Sequence, residues 1–107
     1  MFDDLKKALD KTGIPFAETA WETAPATDYG TIALDGPGES VWADDRISEQ
    51  AIQGTVDLYT HGPGRTQMKK VQAALDGEGV SWRINSIQYE EETGLMHYEW
   101  VFELEDI

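Results

Sequence analysis

The amino-acid sequence predicts a single α+β domain spanning residues 1–107, in which two short helices cover a mixed, mostly antiparallel β-sheet. Three observations lead to this fold class. Apolar and polar residues alternate along the C-terminal stretch, two shorter stretches have helical spacing, and clusters of glycine, proline and aspartate separate the segments. A chain of this length can bury one modest core.

The C-terminal stretch, residues 81–105, predicts a long antiparallel hairpin. Its second half places five apolar side chains on alternate positions, which share one face of a strand: Met96, Tyr98, Trp100, Phe102 and Leu104. Its first half is rich in residues that favour strands. The hairpin loop is predicted at Thr93-Gly94, because glycine readily adopts the positive φ that hairpin loops require. The tip is strongly acidic and consists of Glu90, Glu91 and Glu92.

Helical spacing predicts one helix over residues 2–12 and a second over residues 66–76. Gly13 follows the first helix, where glycine commonly ends helices. The second helix has Thr66 as its expected N-cap and Gly77 as its expected terminator. Its apolar stripe consists of Met68, Val71, Ala74 and Leu75.

Four further strands are predicted, over residues 16–21, 29–34, 39–43 and 50–60. The run Asp35-Gly36-Pro37-Gly38 predicts a tight turn, and Asp44-Asp45-Arg46 predicts a second one. In the strand over residues 50–60, Gly54 indicates either a bulge or a close approach of another group to the backbone.

The chain is strongly acidic, with 21 acidic residues against 8 basic ones and a net charge of −13. The excess is spread over both halves, which argues against nucleic acid and anionic membranes as partners, since both need clustered cations. The acidity is explained either by solubility or by a surface that meets a basic protein. No apolar run approaches the length of a membrane span, and no signal peptide is recognisable, so we expect synthesis in the cytoplasm.

No constellation of residues predicts catalysis, a cofactor or a metal ion. The chain has no cysteine, and His61 and His97 are far apart in sequence without a ligand motif. The two Gly-Pro-Gly runs lack the lysine of a phosphate loop. All four tryptophans fall on predicted strands, where a core position is favoured and one or two interface anchors are the alternative. The residues that we expect to contact partners are Glu90, Glu91, Glu92, Trp42, Asp44 and Asp45.

Several strand and turn motifs carry a resemblance over almost the whole length. They are DYGTIALDG, VWADDR, the strand QGTVDLYT and the acidic final hairpin. With them the chain resembles small tail proteins of long-tailed bacteriophages and prophages, which are called minor tail proteins and are similar to tail terminators.

The resemblance implies an α+β fold that assembles into a ring of six copies. Such a ring caps the tail tube, stops its polymerisation and meets the head-completion proteins. The same small fold occurs among head–tail connector proteins, so the resemblance places the chain in the virion tail or at the head–tail junction. It offers no catalytic residues. The alternative from another class is an acidic, non-catalytic binding or inhibitor module for a basic protein, and a carboxylate hydrolase ranks below both.

Overall fold

The computed structural model describes residues 1–38 and 51–105 of the chain. The described elements are α1 (Phe2–Asp10), β1 (Phe16–Glu18), β2 (Tyr29–Pro37), β3 (Ile52–Thr60), α2 (Arg65–Gly77), β4 (Ser81–Glu90) and β5 (Leu95–Leu104). The strands form one five-stranded sheet in the order β1-β2-β3-β5-β4. β1 pairs parallel with β2, and every other pairing is antiparallel. The predicted α+β class, the two helices and the C-terminal hairpin are therefore confirmed.

Both helices contribute to one core on a single face of the sheet. The alternation along β5 is confirmed, because Trp100 has no exposed surface and Phe102 is 1% exposed. Both helices and β3 also contribute buried core residues, among them Leu5, Leu9, Val71, Leu75, Val56 and Leu58. We call the opposite side of the sheet the open face; its side chains are mostly polar and half-buried.

Gly54 marks a close approach within the core. A Cβ atom at this position would overlap the ring of Phe102, which lies opposite Gly54 in the register of β3 and β5. Of the two interpretations from the sequence, the close approach is thus the one observed. The register shift lies instead in the neighbouring strand β2, between Leu34 and Gly36.

Two sequence predictions for the first half of the sheet are wrong. β1 ends at Glu18, because Thr19 adopts a positive φ of 71°, which is outside the range of strand conformations. β2 runs on through the expected turn to Pro37. A bulge leaves Asp35 out of the register with β3, and Gly36, which follows it with a φ of 153°, pairs with Gln53. Proline is tolerated at the end of a strand, where the ladder needs no further donor.

The helix boundaries differ by one or two residues. α1 ends at Asp10 instead of Thr12, and α2 begins at Arg65 after Gly64, so Thr66 is not the N-cap. Gly77 is still helical, and the terminal glycine with a positive φ of 69° is Gly79. The predicted strand over residues 39–43 and the turn Asp44-Asp45-Arg46 lie outside the described residues. Neither described helix is long and apolar enough to cross a membrane.

Candidate assembly surface

β4 forms one edge of the sheet. It is ten residues long, it pairs with β5 on its inner side, and no strand among the described residues pairs with its outer side. An open edge presents unpaired backbone N–H and C=O groups that can bind a further strand. Natural proteins usually protect such an edge with charges or a covering element, so its side chains decide whether it serves an interaction.

The outer strand carries exposed apolar side chains on the core side of the sheet. Ile84 lies opposite Trp100, and Ile87 lies opposite Tyr98 after a register shift between Ile84 and Ser86. Ile84 is 39% exposed, Ile87 52% and Tyr89 61%, so these side chains continue the core face without being covered. We call Ile84, Ile87 and Tyr89 the edge row. Large apolar side chains on an unpaired edge are typical of a contact surface.

An apolar groove of about 490 Å³ adjoins the edge row at the start of α2. Its wall is fixed by Tyr98, whose hydroxyl accepts a hydrogen bond of 2.9 Å from the backbone N–H of Gly64. The remaining lining residues are Gly62, Pro63, Arg65, Met68, Ile87, Tyr89 and Met96. The groove therefore extends the apolar surface from the strand edge onto the helical layer, with Arg65 as its cation.

The other side of the sheet offers a second, shorter edge. β1 pairs only with residues 30–32 of β2, so residues 33–37 have no strand on their outer side among the described residues. Leu34 lies opposite Gly54 on the core side of the sheet and is 37% exposed. Asp35 turns to the open face, where it accepts a hydrogen bond from the Thr55 hydroxyl.

The acidic tip divides into two parts. Glu90 belongs to β4, and its Oε2 atom lies 3.2 Å from Nδ1 of His97. Glu91 and Glu92 lie in an exposed turn, which Gly94 closes with the expected positive φ of 73°. Of the predicted contact residues, Glu91 and Glu92 are thus exposed, whereas Glu90 contacts His97 of the sheet. Trp42, Asp44 and Asp45 lie outside the described residues.

Aromatic rings cross the open face from strand to strand. The rings of Tyr29 and Tyr59 stack with centroids 4.9 Å apart, and those of Tyr59 and His97 stack at 4.3 Å. Trp21 meets Tyr29 edge-on and donates its indole N–H to the carbonyl oxygen of Gly30 at 2.8 Å. Trp21 therefore closes the end of this row from the loop after β1, although the sequence predicted it on a strand.

His97 lies between two carboxylates from neighbouring strands. Its Nε2 atom is 2.6 Å from Oδ1 of Asp57, and its Nδ1 atom is 3.2 Å from Oε2 of Glu90. The hydrogen bond with Asp57 raises the pKa of His97 above 6.5, and the charges of Asp57 and Glu90 add to this against the opposing effect of burial. Burial and the same carboxylates raise the pKa of Tyr59 to about 12. The two ring nitrogens of His97 thus link β5 to β3 and β4.

The same cluster is the place where the described residues come nearest to a metal site. Ligand atoms of Asp57, His97 and Glu99 all lie within 4.8 Å of one another. Both ring nitrogens of His97 already lie within hydrogen-bond distance of carboxylate oxygens, those of Asp57 and Glu90. We therefore assign the cluster to ion pairing, and the absence of a required metal stays a prediction.

The sequence did not reveal this cluster. Its polar members were assigned to the polar sides of two predicted strands, but their contact depends on the register between β3 and β5.

A comparison of the chain with protein-family models and with curated proteins finds no match.

Proposed function

We propose that this chain is a structural protein of a phage tail, a tail terminator or tail-completion protein that forms a ring at the end of the tail tube, at the head–tail junction. The observation that carries the proposal is the open outer edge of β4 with its exposed edge row. An acidic domain that leaves Ile87 and Tyr89 more than half exposed beside an unpaired strand is suited to assembly.

Ring formation requires two different surfaces on each copy, because a head-to-tail contact closes only when one surface meets the other. The sheet offers two such surfaces, since the β4 edge is long and apolar and the free part of β2 is short. The resemblance to tail terminators sets the expected number of copies at six.

The partners follow from the same proposal. The tail-tube protein meets one side of the ring, and head-completion or connector proteins meet the exposed turn with Glu91 and Glu92. A net charge of −13 disfavours nucleic acid and anionic membranes as partners. The proposal assigns no catalytic, cofactor-binding or metal-binding residue. The chain is made in the host cytoplasm and ends in the virion.

The proposal is tested by removing the chain from a phage that encodes it and examining the particles by electron microscopy. Tails of irregular length and unjoined heads are expected, together with an epitope-labelled chain at the tube end in complemented particles. Complementation with Ile87→Asp should fail, because the charge falls on the edge row. Thr23→Asp, in an exposed loop, is the control that should complement. Normal particles without the chain would refute a tail role.

The second candidate is an acidic, non-catalytic binding module for a basic protein. It is favoured by the net charge of −13 and by the open face, where Asp57 lies opposite Glu99 and Glu103 follows four residues further along β5. This candidate predicts a monomer that binds one basic protein tightly, with an affinity that falls steeply as salt rises. Sedimentation of the isolated chain with and without its partner separates it from the ring.

A further inference from the structure

We infer that copies of this chain join edge to edge, with residues 81–85 of β4 in one copy pairing antiparallel with residues 33–37 of β2 in the next copy, up to the point where β1 covers β2. In this contact Leu34 packs against Ile84, and Asp35 faces Arg83. The inference rests on the proposed function, because it names the subunit contact of the proposed ring. The β4 edge therefore binds a second copy of the chain, through residues 33–37 of that copy.

The strand directions permit this pairing without turning a copy over. Within one copy, β4 is antiparallel to β2, because three successive antiparallel pairings separate the two strands. A neighbour that extends the sheet in the same orientation brings its β2 alongside β4, again antiparallel. The helices of both copies then lie on the same side of a continuous sheet.

The faces of the two strands match in this register. Leu34 lies opposite Gly54 and Ile84 lies opposite Trp100, so both side chains point to the core side of the sheet. Directly opposite apolar pairs stabilise a sheet, because their Cβ atoms approach within about 4.5–5.5 Å. With Leu34 set against Ile84, the next residues of the two antiparallel strands are Arg83 and Asp35, the residue that the bulge of β2 leaves out of the register with β3.

Asp35 and Arg83 also share a face. Asp35 reaches Thr55 on the open face, and Arg83 lies opposite Val101, which belongs to the same face of β5. Their side chains are exposed in the single chain. The register that aligns the apolar pair thus brings together an acid and a base on the other side of the sheet.

Charge favours these two segments over the rest of the surface. Residues 81–89 contain Arg83 and no acid, whereas residues 33–37 contain Asp35 and no base. In a chain with 21 acids and 8 bases, most contacts between copies would bring acids together. The two edges are complementary instead, and such complementarity fixes both partner and register.

The chain contains no cysteine, so single cysteines give an unambiguous test. Leu34→Cys and Ile84→Cys are made separately, with tags of different size, and treated with a short bismaleimide alone and mixed. A cross-linked pair carrying both tags is expected in the mixture, with no product from either variant alone. Thr23→Cys mixed with Ile84→Cys is the control that should stay unlinked. Linkage of Ile84→Cys with itself would mean a two-fold β4–β4 contact, and no linkage in the mixture would also overturn the inference.

Charge reversal tests the register independently of the cysteines. Asp35→Lys and Arg83→Glu should each weaken self-association by about fivefold, the upper end of the range for an exposed pair. A chain carrying both changes should regain association, because each copy again presents opposite charges. A variant that lost association through misfolding would not be restored. Two weak single variants without recovery in the double variant would refute the Asp35–Arg83 contact.

The cross-linking and the particle assay fail independently. If the mixture does not cross-link but particles still need the chain, the tail role stands and this contact is wrong. If the mixture cross-links but particles form normally without the chain, the contact stands and the tail role is wrong.

Discussion

Trp100 is the largest side chain without exposed surface, and its indole N–H donates to Oε1 of Gln72 at 3.2 Å, which ties β5 to α2. We expect Trp100→Ala to lower the free energy of unfolding by about 3–5 kcal/mol, the usual range for a buried aromatic. Urea denaturation measures this change. Trp100→Phe, which keeps most of the volume, should cost clearly less. Equal midpoints for Trp100→Ala and the wild type would contradict the core assignment.

We expect His97 to make the stability of the protein depend on pH. Its pKa in the folded chain is raised above the ordinary 6.5, chiefly by the hydrogen bond with Asp57. The folded state therefore holds this proton more tightly, and the stabilisation is complete below pH 6.5 and is lost as pH rises through the higher folded pKa. We expect His97→Gln to flatten the fall in unfolding free energy above pH 6.5. His61→Gln, at an exposed side chain, is the matched control, and an unchanged slope in His97→Gln would contradict the assignment.

Among single residues, the core could be predicted from the sequence, whereas the cluster around His97 could not. Trp100 and Phe102 could be predicted, because burial follows from alternation within one strand. The contact of His97 with Asp57 could not, because these residues are 40 positions apart and meet only through the register of β3 and β5.

The turn between β4 and β5 separates two roles for the acidic tip. Glu91 and Glu92 are exposed, so changing both to Gln should alter the unfolding free energy by less than about 0.5 kcal/mol. The same variant should impair docking to a basic head-completion protein, which a virion-completion assay measures. Glu90→Gln is the comparison, because it removes the negative charge beside His97 Nδ1 and should change stability instead. Normal completion by the Glu91/Glu92 variant would make this turn a solvated loop.

Whole elements were predictable where one period continued for several residues. The hairpin and both helices have such patterns, and the sequence located them to within a few residues. The end of β2 could not be located from the sequence, because Gly36 and Pro37 are ordinary turn residues. Only the pairing with β3 shows that the strand continues through a bulge. The parallel pairing of β1 with β2 likewise depends on long-range contacts, which cannot be predicted from the sequence of a three-residue strand.

For the molecule as a whole, assembly should strengthen as salt rises. Copies with a net charge of −13 repel one another, and salt screens this repulsion over about 10 Å at 0.1 M. Salt also weakens the proposed Asp35–Arg83 contact, but one opposite pair is outweighed by the many like charges. Sedimentation velocity across a salt series measures the effect. Complexes that dissociate at high salt would show that ion pairs, and not apolar contact, hold the copies together.

The open β4 edge also makes the unassembled chain prone to aggregation. Apolar strands without a partner tend to stack without limit, as in amyloid. At neutral pH the acidic surface supplies colloidal repulsion that prevents this, whereas near the isoelectric point of about 4.2 it disappears. We expect β-rich precipitates there, detectable by turbidity and thioflavin fluorescence and reduced by Ile87→Lys. The acidity of the chain would then inhibit aggregation, because it keeps newly made copies apart until the β4 edge pairs with another copy during assembly.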